Sequence, residues 1–309
     1  MNQVPLPVTL LCDEPQWHGE RIDKFLIAHI PNFSRNYFQE LILAGCVTLN
    51  GTRVTKVSST IRLNDSVTIT FKSKQCNFDP ADVAFDVIDE QPDFLVINKP
   101  AGLLVHHTAT KPEEVTLING LLFRYPEMKD LDSMDRPGIV HRIDKNTSGI
   151  LIIARNQQAQ QHFSQMFHDR QIHKTYLAVV RGTPANQGTI DLPIGRHPID
   201  RHKMATFGVE TRQALTHYKV IEQFKTAAIL EVNIITGRTH QVRVHCASMG
   251  HGLLGDDTYG ITSPLINRHA LHAWKVSFNY LGKDFSYQAP LPDDLTQLID
   301  ALKSGTPKT

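Results

Sequence analysis

Residues 138–156 of the chain read GIVHRIDKNTSGILIIARN. Two apolar segments typical of β-strands, residues 138–140 and 150–154, enclose a group of ionisable side chains: His141, Arg142, Asp144 and Lys145. A buried charge costs free energy unless it is paired, and Asp144 has cationic neighbours on both sides in the sequence. These residues alone leave two interpretations open: a turn aspartate neutralised by its neighbours, or a carboxylate that takes part in chemistry.

The length and composition are those of an ordinary globular protein of roughly two domains. The chain has 309 residues, of which 41% are hydrophobic and 20% charged, with a formal net charge of +1 at pH 7. A net charge this small means that any surface for nucleic acid is confined to part of the molecule. The N-terminal residues lack the pattern of a secretory signal, and no apolar segment approaches the ~20 residues that span a bilayer. We therefore expect a cytoplasmic protein that does not associate with membranes.

Residues 20–75 have the pattern of a small domain of helices and strands with an excess of positive charge. Apolar residues at helical spacing predict one helix over 22–30 and a second from the N-cap Ser34 to Gly45, followed by strands at 47–49 and 67–71. Residues 21–75 contain eight Lys or Arg and three Asp or Glu, so the local charge is +5. Such an excess is typical of a surface for a phosphate backbone, although a merely solvated face would look the same. The candidate RNA-binding residues in this domain are Arg21, Lys24, Arg35 and Arg53.

The order of these patterns predicts five segments. We expect a lead-in at 1–19, the first domain at 20–75, a linker at 76–90, a second domain at 91–303 and a tail at 304–309. In the second domain we predict strands at 94–98, 149–154, 175–180, 217–224 and 227–235, and helices at 115–123 and 157–169. Hairpin-like strand pairs mixed with occasional helices are typical of an α+β fold built on a mostly antiparallel mixed β-sheet with flanking helices and loops.

The motifs that the sequence lacks exclude several classes of enzyme. The four cysteines are scattered without metal-site spacing. The chain has sixteen histidines, but His240 and His245 stand five apart in a segment that predicts a strand, which would place them on opposite faces. The sequence contains neither the GxSxG pattern of serine hydrolases nor the GxxxxGK[ST] phosphate loop. We therefore expect that the protein does not use a metal for catalysis.

Several stretches of the second domain, in their order along the chain, resemble the RluA family of pseudouridine synthases. They are KPAGLLVH (99–106), GIVHRIDKNTSGILIIA (138–154), KTYLAVVRG (174–182), TGRTHQVRVHCASMGH (236–251), GDDTYG (255–260) and ALHA (270–273). The resemblance covers about residues 88–295, and residues 21–67 resemble an S4 domain, a small RNA-binding module common in that family. Within the family, PIGRHPIDRHKMA (193–205) resembles the branch typified by RluD, which modifies uridines in large-subunit ribosomal RNA.

The resemblance implies the pseudouridine synthase fold and an RNA isomerase that needs neither cofactor nor metal. Uracil would detach from C1′ of the ribose, turn, and reattach through C5. Asp144 matches the family's essential aspartate, which either attacks the sugar covalently or removes a sugar proton. Arg243 matches the arginine that pairs with this aspartate through a bidentate fork. Tyr176 matches the aromatic residue that stacks on the target base and relays the final proton at C5.

The same resemblance implies contacts with RNA beyond the reacting base. Arg142 matches the residue that enters the space left when the uridine flips out of the RNA. Four further residues in matched motifs are candidates for shaping the pocket or contacting RNA: Lys99, His106, His141 and Arg238. For each of them a satisfied core histidine or a surface cation is the alternative. The implied partner is ribosomal RNA, including that of the assembling large subunit, and we expect the protein to act as a monomer.

Three other functions remain open at this point. The same chemistry could act on transfer RNA or on other ribosomal sites. An S4-bearing protein could recognise ribosomal RNA while its second domain lacks catalytic activity. An aspartate nucleophile could also hydrolyse the N-glycosidic bond and release uracil. Glycosidases usually use two carboxylates, however, and Asp256 and Asp257, which follow Gly255, have the pattern of a turn.

Overall fold

A computed structural model of the chain describes residues 7–31, 33, 35–71, 78–107, 114–131 and 136–305. The predicted N-cap Ser34 lies outside the described residues, as do 1–6 of the predicted lead-in, 72–75 of the predicted first domain, 76–77 of the linker and 306–309 of the tail. The chain divides into two compact units, Met1–Cys76 and Asn77–Thr309.

The first unit contains two helices and a small antiparallel sheet. The helices are α1 (Ile22–His29) and α2 (Arg35–Leu43), and a 3-10 turn spans Pro15–Trp17. The strands are β1 (Val8–Leu11), β2 (Val47–Leu49), β3 (Thr52–Arg53) and β4 (Ser66–Ile69), in the order β1-β4-β2-β3. Residues three or four apart share one face of a helix, and the fully buried residues follow this spacing: Ile22 with Phe25 and Leu26 on α1, and Phe38 with Ile42 on α2.

The second unit is built on a nine-stranded sheet. Its strands are β5 (Asp86–Glu90), β6 (Phe94–Lys99), β7 (Ser148–Ala154), β8 (His173–Arg181), β9 (Gln187–Asp191), β13 (Leu215–Gln223), β14 (Ala227–Ile234), β15 (Leu271–Tyr280) and β16 (Lys283–Gln288). The order is β5-β6-β7-β15-β8-β14-β13-β9, and β16 pairs with β15. Strands β7 and β15 run parallel where they pair, and the other strand pairings described in this sheet are antiparallel.

Helices and a second, smaller sheet complete this unit. The helices are α3 (Leu117–Arg124), α4 (Gln157–His168), α5 (Gln241–Ser248) and α6 (Asp293–Ser304), and a 3-10 turn spans Pro126–Asp130. Strands β10 (Ile194–Arg196), β11 (Met204–Ala205) and β12 (Val209–Arg212) form the small sheet in the order β11-β10-β12. The predicted α+β class with a mostly antiparallel mixed sheet is therefore confirmed. The strands and helices predicted for the second domain are present, with ends that differ by one or two residues.

Strand β7 lies in the core of the second unit. All seven residues of SGILIIA are buried, so the strand has a continuous apolar sequence rather than an alternating one. Ile152 packs in one cluster with Phe163 of α4 and Phe278 of β15. Helix α4, which covers this face, begins after Asn156, whose side chain accepts a hydrogen bond from the Ala159 N–H at 2.8 Å. The loop that precedes β7 and carries Asp144 is thus joined to a rigid strand.

The strand predicted around His240 and His245 is wrong, because residues 241–248 form helix α5. His240 precedes the helix with a φ of 58°, and the Gln241 side chain accepts a hydrogen bond from the Arg238 N–H at 2.9 Å. Six consecutive residues, 241–246, are buried, so the helix has no polar face from which a helical period could be recognised. Polar residues that alternate with Val242 and Val244 instead imitate the period of a strand.

Candidate active site

A cleft of about 560 Å³ in the second unit brings together most of the site residues that were predicted in the second domain. Its walls are residues 140–144 of the loop before β7, the end of α4, the start of β8, residues 234–238 and the start of α5. The predicted residues that line it are His141, Arg142, Asp144, Tyr176, Arg238 and Arg243, whereas Lys99 and His106 are not among the lining residues. A volume of this size is typical of pockets that enclose a small ligand.

Gly149 fixes the point at which the loop that carries Asp144 joins the sheet. The Gly149 φ is +113°, and a Cβ added there would lie 2.2 Å from the carbonyl oxygen of Ala273 on β15. Only glycine allows this approach, because any side chain would collide with the neighbouring backbone. The Ser148 hydroxyl is also within hydrogen-bond distance of His272 Nδ1, at 2.9 Å. These contacts attach the loop that carries Asp144 to β15. Strand β15 in turn pairs with β8, the strand that carries Tyr176.

Asp144 is the one carboxylate among the described residues that line the cleft, and one hydrogen bond, from Arg243, orients it. Arg243 Nη1 donates a hydrogen bond to Asp144 Oδ2 at 3.3 Å, and His240 Nε2 lies 3.9 Å from the same oxygen. The Asp144 side chain is 21% exposed. Within the described part of the chain, Asp144 Oδ1 has no hydrogen-bond partner. This oxygen is therefore available to a ligand in the cleft.

The guanidinium fork of Arg243 binds Asp256, not Asp144 as the resemblance implied. Arg243 Nε donates to Asp256 Oδ2 at 2.7 Å, and Arg243 Nη2 donates to Asp256 Oδ1 at 2.8 Å. The ring of Tyr259 packs against the guanidinium, with the Arg243 Cζ 4.9 Å from the ring centroid. Arg243 therefore forms its bidentate interaction with the buried carboxylate of Asp256 and contacts Asp144 through Nη1 alone.

Asp256 is a site residue that the sequence did not reveal. The residue is 1% exposed, and its Oδ1 also accepts hydrogen bonds from the backbone N–H groups of Thr258 and Tyr259 at 3.0 and 3.1 Å. Burial raises the pKa of Asp256, but its hydrogen bonds and the positive charge of Arg243 lower that pKa further, below the ordinary value. The turn predicted from GDDTYG is present, but nothing in its pattern shows that one of its two aspartates points inward.

Tyr176 presents a sheltered hydroxyl to the cleft. It lies on β8, opposite Ala273 of β15, and is 8% exposed. Burial raises the pKa of Tyr176, and the negative charge of Asp144 raises it further. The phenol is therefore protonated at neutral pH and offers the cleft both a flat ring and a hydrogen-bond donor.

Arg142 and two histidines surround the loop of Asp144. Arg142 is exposed, and its Nη1 lies 3.2 Å from His106 Nε2, which accepts because a guanidinium can only donate. Burial and then the charges of Arg136 and Arg142 lower the pKa of His106 to about 4. His141 Nε2 accepts a hydrogen bond from the Ile152 N–H at 2.8 Å, and its ring stacks on Phe167 at 4.4 Å. Both histidines thus have structural partners.

Lys99 is buried, so the structure does not present it to RNA. The residue is 0% exposed, and its ammonium donates hydrogen bonds to the carbonyl oxygens of Pro100, Leu103 and Lys145 at 2.7, 2.9 and 2.9 Å. Burial and then the charge of Arg268 lower the pKa of Lys99 to about 7. These hydrogen bonds join loop 99–103 to the loop that carries Asp144.

The cationic candidates of the first unit divide into paired and exposed residues. Arg21 and Arg35 both bind the fully buried carboxylate of Asp23, each with a closest contact of 2.9 Å, and so connect α1 to α2. Burial raises the pKa of Asp23, but hydrogen bonds led by that of Arg35 lower it to about 2. Lys24 pairs with Glu20 at 2.8 Å on the surface, and Arg53 is exposed on β3.

Two further cations line the cleft and were not predicted. Arg170 follows α4, and Lys174 lies on β8 two residues before Tyr176, on the same face of the strand. The stretch KTY contained the signal for Lys174, because alternate residues of a strand share a face. Among the described residues we find no group of three or more His, Cys, Asp or Glu able to hold a metal ion. None of the helices described is long and apolar enough to cross a membrane.

Chemically, the cleft offers one accessible carboxylate, a protonated phenol and an excess of positive charge. The carboxylate can attack an electrophilic carbon or remove a proton, and the phenol can stack on a flat ring and transfer a proton. The cations suit a polyanionic ligand.

Comparisons with known proteins agree with this arrangement. A family model described as RNA pseudouridylate synthase matches residues 93–248, and an S4 domain model matches residues 20–67. A protein of Xanthomonas campestris pv. campestris named ribosomal large subunit pseudouridine synthase D is 39% identical over 93% of this chain and 90% of its own. An uncharacterised RNA pseudouridine synthase of Bacillus subtilis is 37% identical over 99% of this chain and 100% of its own. The structure of human RNA pseudouridylate synthase domain containing 1 is 27% identical, with a TM-score of 0.57 over 75% of this chain and 100% of its own.

Proposed function

The chain belongs to the RNA pseudouridine synthase family, and from this premise we propose that it isomerises uridines of large-subunit ribosomal RNA. The enzyme class is that of an isomerase, because uracil moves from an N1 to a C5 linkage on the same ribose. The choice of large-subunit RNA is supported by the name of the Xanthomonas relative and by the 193–205 stretch typical of the RluD branch. The S4 domain supports RNA as the partner.

One observation carries the proposed mechanism: the cleft contains an oriented but accessible carboxylate, Asp144. Its Oδ2 is held by Arg243 at 3.3 Å, which leaves Oδ1 for the sugar. In the covalent route, an Asp144 oxygen bonds to C1′ as the N1–C1′ bond breaks, and the electron pair stays on uracil. The turned base then bonds to C1′ through C5, and the carboxylate is released. In the alternative route Asp144 removes a sugar proton and later returns it.

Tyr176 supports the last step of either route. The C5 atom must lose its proton after the new bond forms, and N1 of the released base must gain one. A neutral phenol beside the base can pass on a proton by accepting one while donating its own. Since burial and Asp144 raise the Tyr176 pKa, the phenol enters this step in its protonated form.

The hydrolytic alternative is weakened by the position of the second carboxylate. Release of uracil by a glycosidase would require an acid or base to work with Asp144. Both oxygens of Asp256 are occupied by Arg243, and the residue is 1% exposed. Asp256 is therefore unable to activate a water molecule in the cleft. A protein that only binds RNA would need neither the accessible Asp144 nor the sheltered Tyr176.

A single assay tests the proposal against both alternatives. RNA tritiated at uridine C5 is incubated with the protein, and label release, free uracil and chain integrity are measured. We expect label release from ribosomal RNA without free uracil, and none with Asp144→Asn. Free uracil would identify a glycosidase, and unchanged RNA would identify a binding protein. Release from transfer RNA alone would overturn the ribosomal assignment.

We further propose that the protein acts in the cytoplasm as a monomer, on free ribosomal RNA or on the assembling large subunit. Its domain limits, 20–75 and 91–303, stay predictions from the sequence. Mapping pseudouridines in RNA from cells with and without the protein would identify the modified positions. Loss of a ribosomal pseudouridine in the deletion strain is the expected result, and an unchanged ribosomal map would contradict the proposal.

A further inference from the structure

The cleft carries more positive charge than its one carboxylate can neutralise. Its cationic lining residues are Arg142, Arg170, Lys174, Arg238 and Arg243. Arg243 is bound to Asp144 and Asp256, and Arg142 donates to His106. The remaining three make no ion pair with a carboxylate in the described part of the chain. This unpaired charge has no use in the chemistry assigned to Asp144 and Tyr176.

Arg238 stands among like charges. Its Nε donates to the carbonyl oxygen of Gln213 at 3.0 Å, which fixes the guanidinium next to the end of β12. Burial lowers the pKa of Arg238, and the nearby charges of Arg212 and Arg170 lower it further. Arg212 is exposed and makes no ion pair among the described residues. Cations gathered without a carboxylate repel one another, and an anion bound between them relieves that repulsion.

The backbone conformation of Arg170 does not favour an arginine. Its φ is +60°, the left-handed conformation that ends α4, and the following N–H, of Gln171, donates to Met166 O at 2.9 Å. Glycine is the preferred residue at this position of a helix terminus, because other residues are strained there. The neighbouring carboxylate of Asp169 is already bonded to His168 at 2.9 Å and to Gln165 at 2.8 Å. Arg170 thus lines the cleft without an ion pair to its neighbour Asp169.

Lys174 extends the group of cations towards Tyr176. Its ammonium lies 5.5 Å from the centroid of the Phe167 ring and 3.8 Å from the position that a Cβ on Gly237 would take. Within the described residues it has no hydrogen-bond or ion-pair partner. Burial lowers the pKa of Lys174 to about 8. An anion would supply the partner that the protein does not.

We propose that Arg170, Lys174, Arg212 and Arg238 form a binding site for a phosphodiester group of the RNA next to the flipped uridine. We call these four residues the phosphate site. The inference rests on the proposed function, because RNA is the ligand of the cleft. Guanidinium groups bind phosphate oxygens through paired N–H donors, and none of the four residues makes an ion pair with a carboxylate in the described part of the chain. By fixing the backbone beside the target, it would place the ribose against Asp144.

Kinetics with matched variants test the phosphate site. The substrate is a ribosomal stem-loop fragment that contains a uridine isomerised by the wild-type protein. We expect Arg170→Gln and Arg238→Gln each to raise KM about tenfold with little change in kcat, and to reduce the slope of log KM against log salt by about 0.7 to 0.9. The control is Arg181→Gln, an exposed arginine at the other end of β8, which should leave KM unchanged.

Arg170→Gly separates binding from folding. Glycine suits the left-handed backbone, so we expect the melting temperature to stay the same or rise while KM increases as in Arg170→Gln. A fall in melting temperature with an unchanged KM would mean that Arg170 is structural and would overturn its place in the phosphate site.

Neutral linkages in the RNA identify the ligand. Single methylphosphonates are placed at successive linkages around the target uridine, and binding is measured with wild-type protein and with Arg170→Gln. At one linkage near the target, we expect the methylphosphonate to weaken binding by the wild-type protein. The same methylphosphonate should weaken binding by Arg170→Gln much less, because the variant has already lost the contact with that phosphate. Equal losses in both proteins at every linkage would overturn the phosphate site alone. A wild-type protein that isomerises no ribosomal uridine would instead overturn the proposed function, and this inference with it.

Discussion

Arg243 binds the buried Asp256 through two hydrogen bonds of 2.7 and 2.8 Å and contacts Asp144, at the cleft, through a single nitrogen at 3.3 Å. The shorter, paired contacts determine where the guanidinium lies. Asp256 therefore positions the cation that orients Asp144, although it does not line the cleft. Asp256 is therefore a positioning residue, and we expect its loss to slow the reaction at the ribose.

We expect Asp256→Asn to lower kcat by about 10- to 100-fold, because a misplaced Arg243 no longer holds the carboxylate of Asp144 in line. KM for the RNA should change much less, since Asp256 does not reach the ligand. The matched control is Asp257→Asn, because Asp257 is exposed and adjacent in sequence. Single-turnover kinetics at a temperature where the variant is folded provide the measurement. A wild-type kcat in Asp256→Asn would contradict the positioning role.

Arg243→Lys should reduce the rate at least as strongly. An ammonium can contact one of the two carboxylates but cannot reproduce the planar fork. We also expect the double variant with Asp256→Asn to lose little beyond the larger single effect, because both changes remove the same arrangement. Turnover of Arg243→Lys near the wild-type value would refute the assignment, as would losses that simply add.

Tyr176→Phe keeps the flat ring and removes the hydroxyl. General acid–base catalysis is worth about 10²- to 10⁴-fold, so we expect tritium release to slow within that range while RNA affinity stays close to wild type. Tyr218→Phe, a change of the same kind on β13 outside the cleft, is the control. If Tyr176→Phe worked as fast as the wild type, the proton-relay role would be lost.

Acid should destabilise the second unit through His141. Burial and then the charge of Lys174 lower the His141 pKa from 6.5 to about 3 in the folded protein, so the unfolded chain binds more protons between these values. The stability from neutral His141 is complete above pH 6.5 and is lost as the pH falls towards 3. His141→Gln does not titrate and can still accept from the Ile152 N–H. Between pH 7 and 4 we expect it to lose about 3 kcal/mol less unfolding free energy than the wild type. Equal losses in denaturant titrations at the two pH values would rule this out.

Removal of residues 1–75 should weaken RNA binding and site choice while the second unit stays folded. Phosphate contacts of the S4 domain are salt-dependent, so the truncated protein should also show a shallower salt dependence of Kd. Lys24→Gln with Arg53→Gln is the finer test, because these exposed residues do not bind Asp23 as Arg21 and Arg35 do. Unchanged affinity at physiological salt in the truncated protein would contradict this prediction.

The family, the α+β fold and the enzyme class could be predicted from the sequence, because long motifs and strand patterns are local signals. Local patterns also predicted β7, whose seven apolar and small residues stand together. They failed at α5, where burial on every side removed the helical period and left an alternation of valines with polar residues. The spacing of polar and apolar residues shows which face of a segment is exposed to solvent. In a segment that is buried on most sides, this spacing no longer indicates the secondary structure.

Side-chain partners were harder to predict than elements. From the sequence, the guanidinium fork of Arg243 could be assigned only to Asp144, the carboxylate in the most distinctive motif. The contact with Asp256 depends on the fold, which places the turn after Gly255 against α5. The left-handed backbone of Arg170 and the burial of Lys99 also depend on contacts that no single stretch encodes. Lys99 has a charge that suggests RNA, but its three acceptors are all backbone carbonyls of its own protein.

The buried ammonium of Lys99 has a consequence for how substrate enters. Separating loop 99–103 from Lys145 would remove one of the three acceptors of a buried ammonium, which favours keeping the two loops together. If Asp144 acts as proposed, it would then stay in place while the target base leaves its helix to reach it. We therefore expect the RNA, rather than this loop, to undergo the larger distortion on binding.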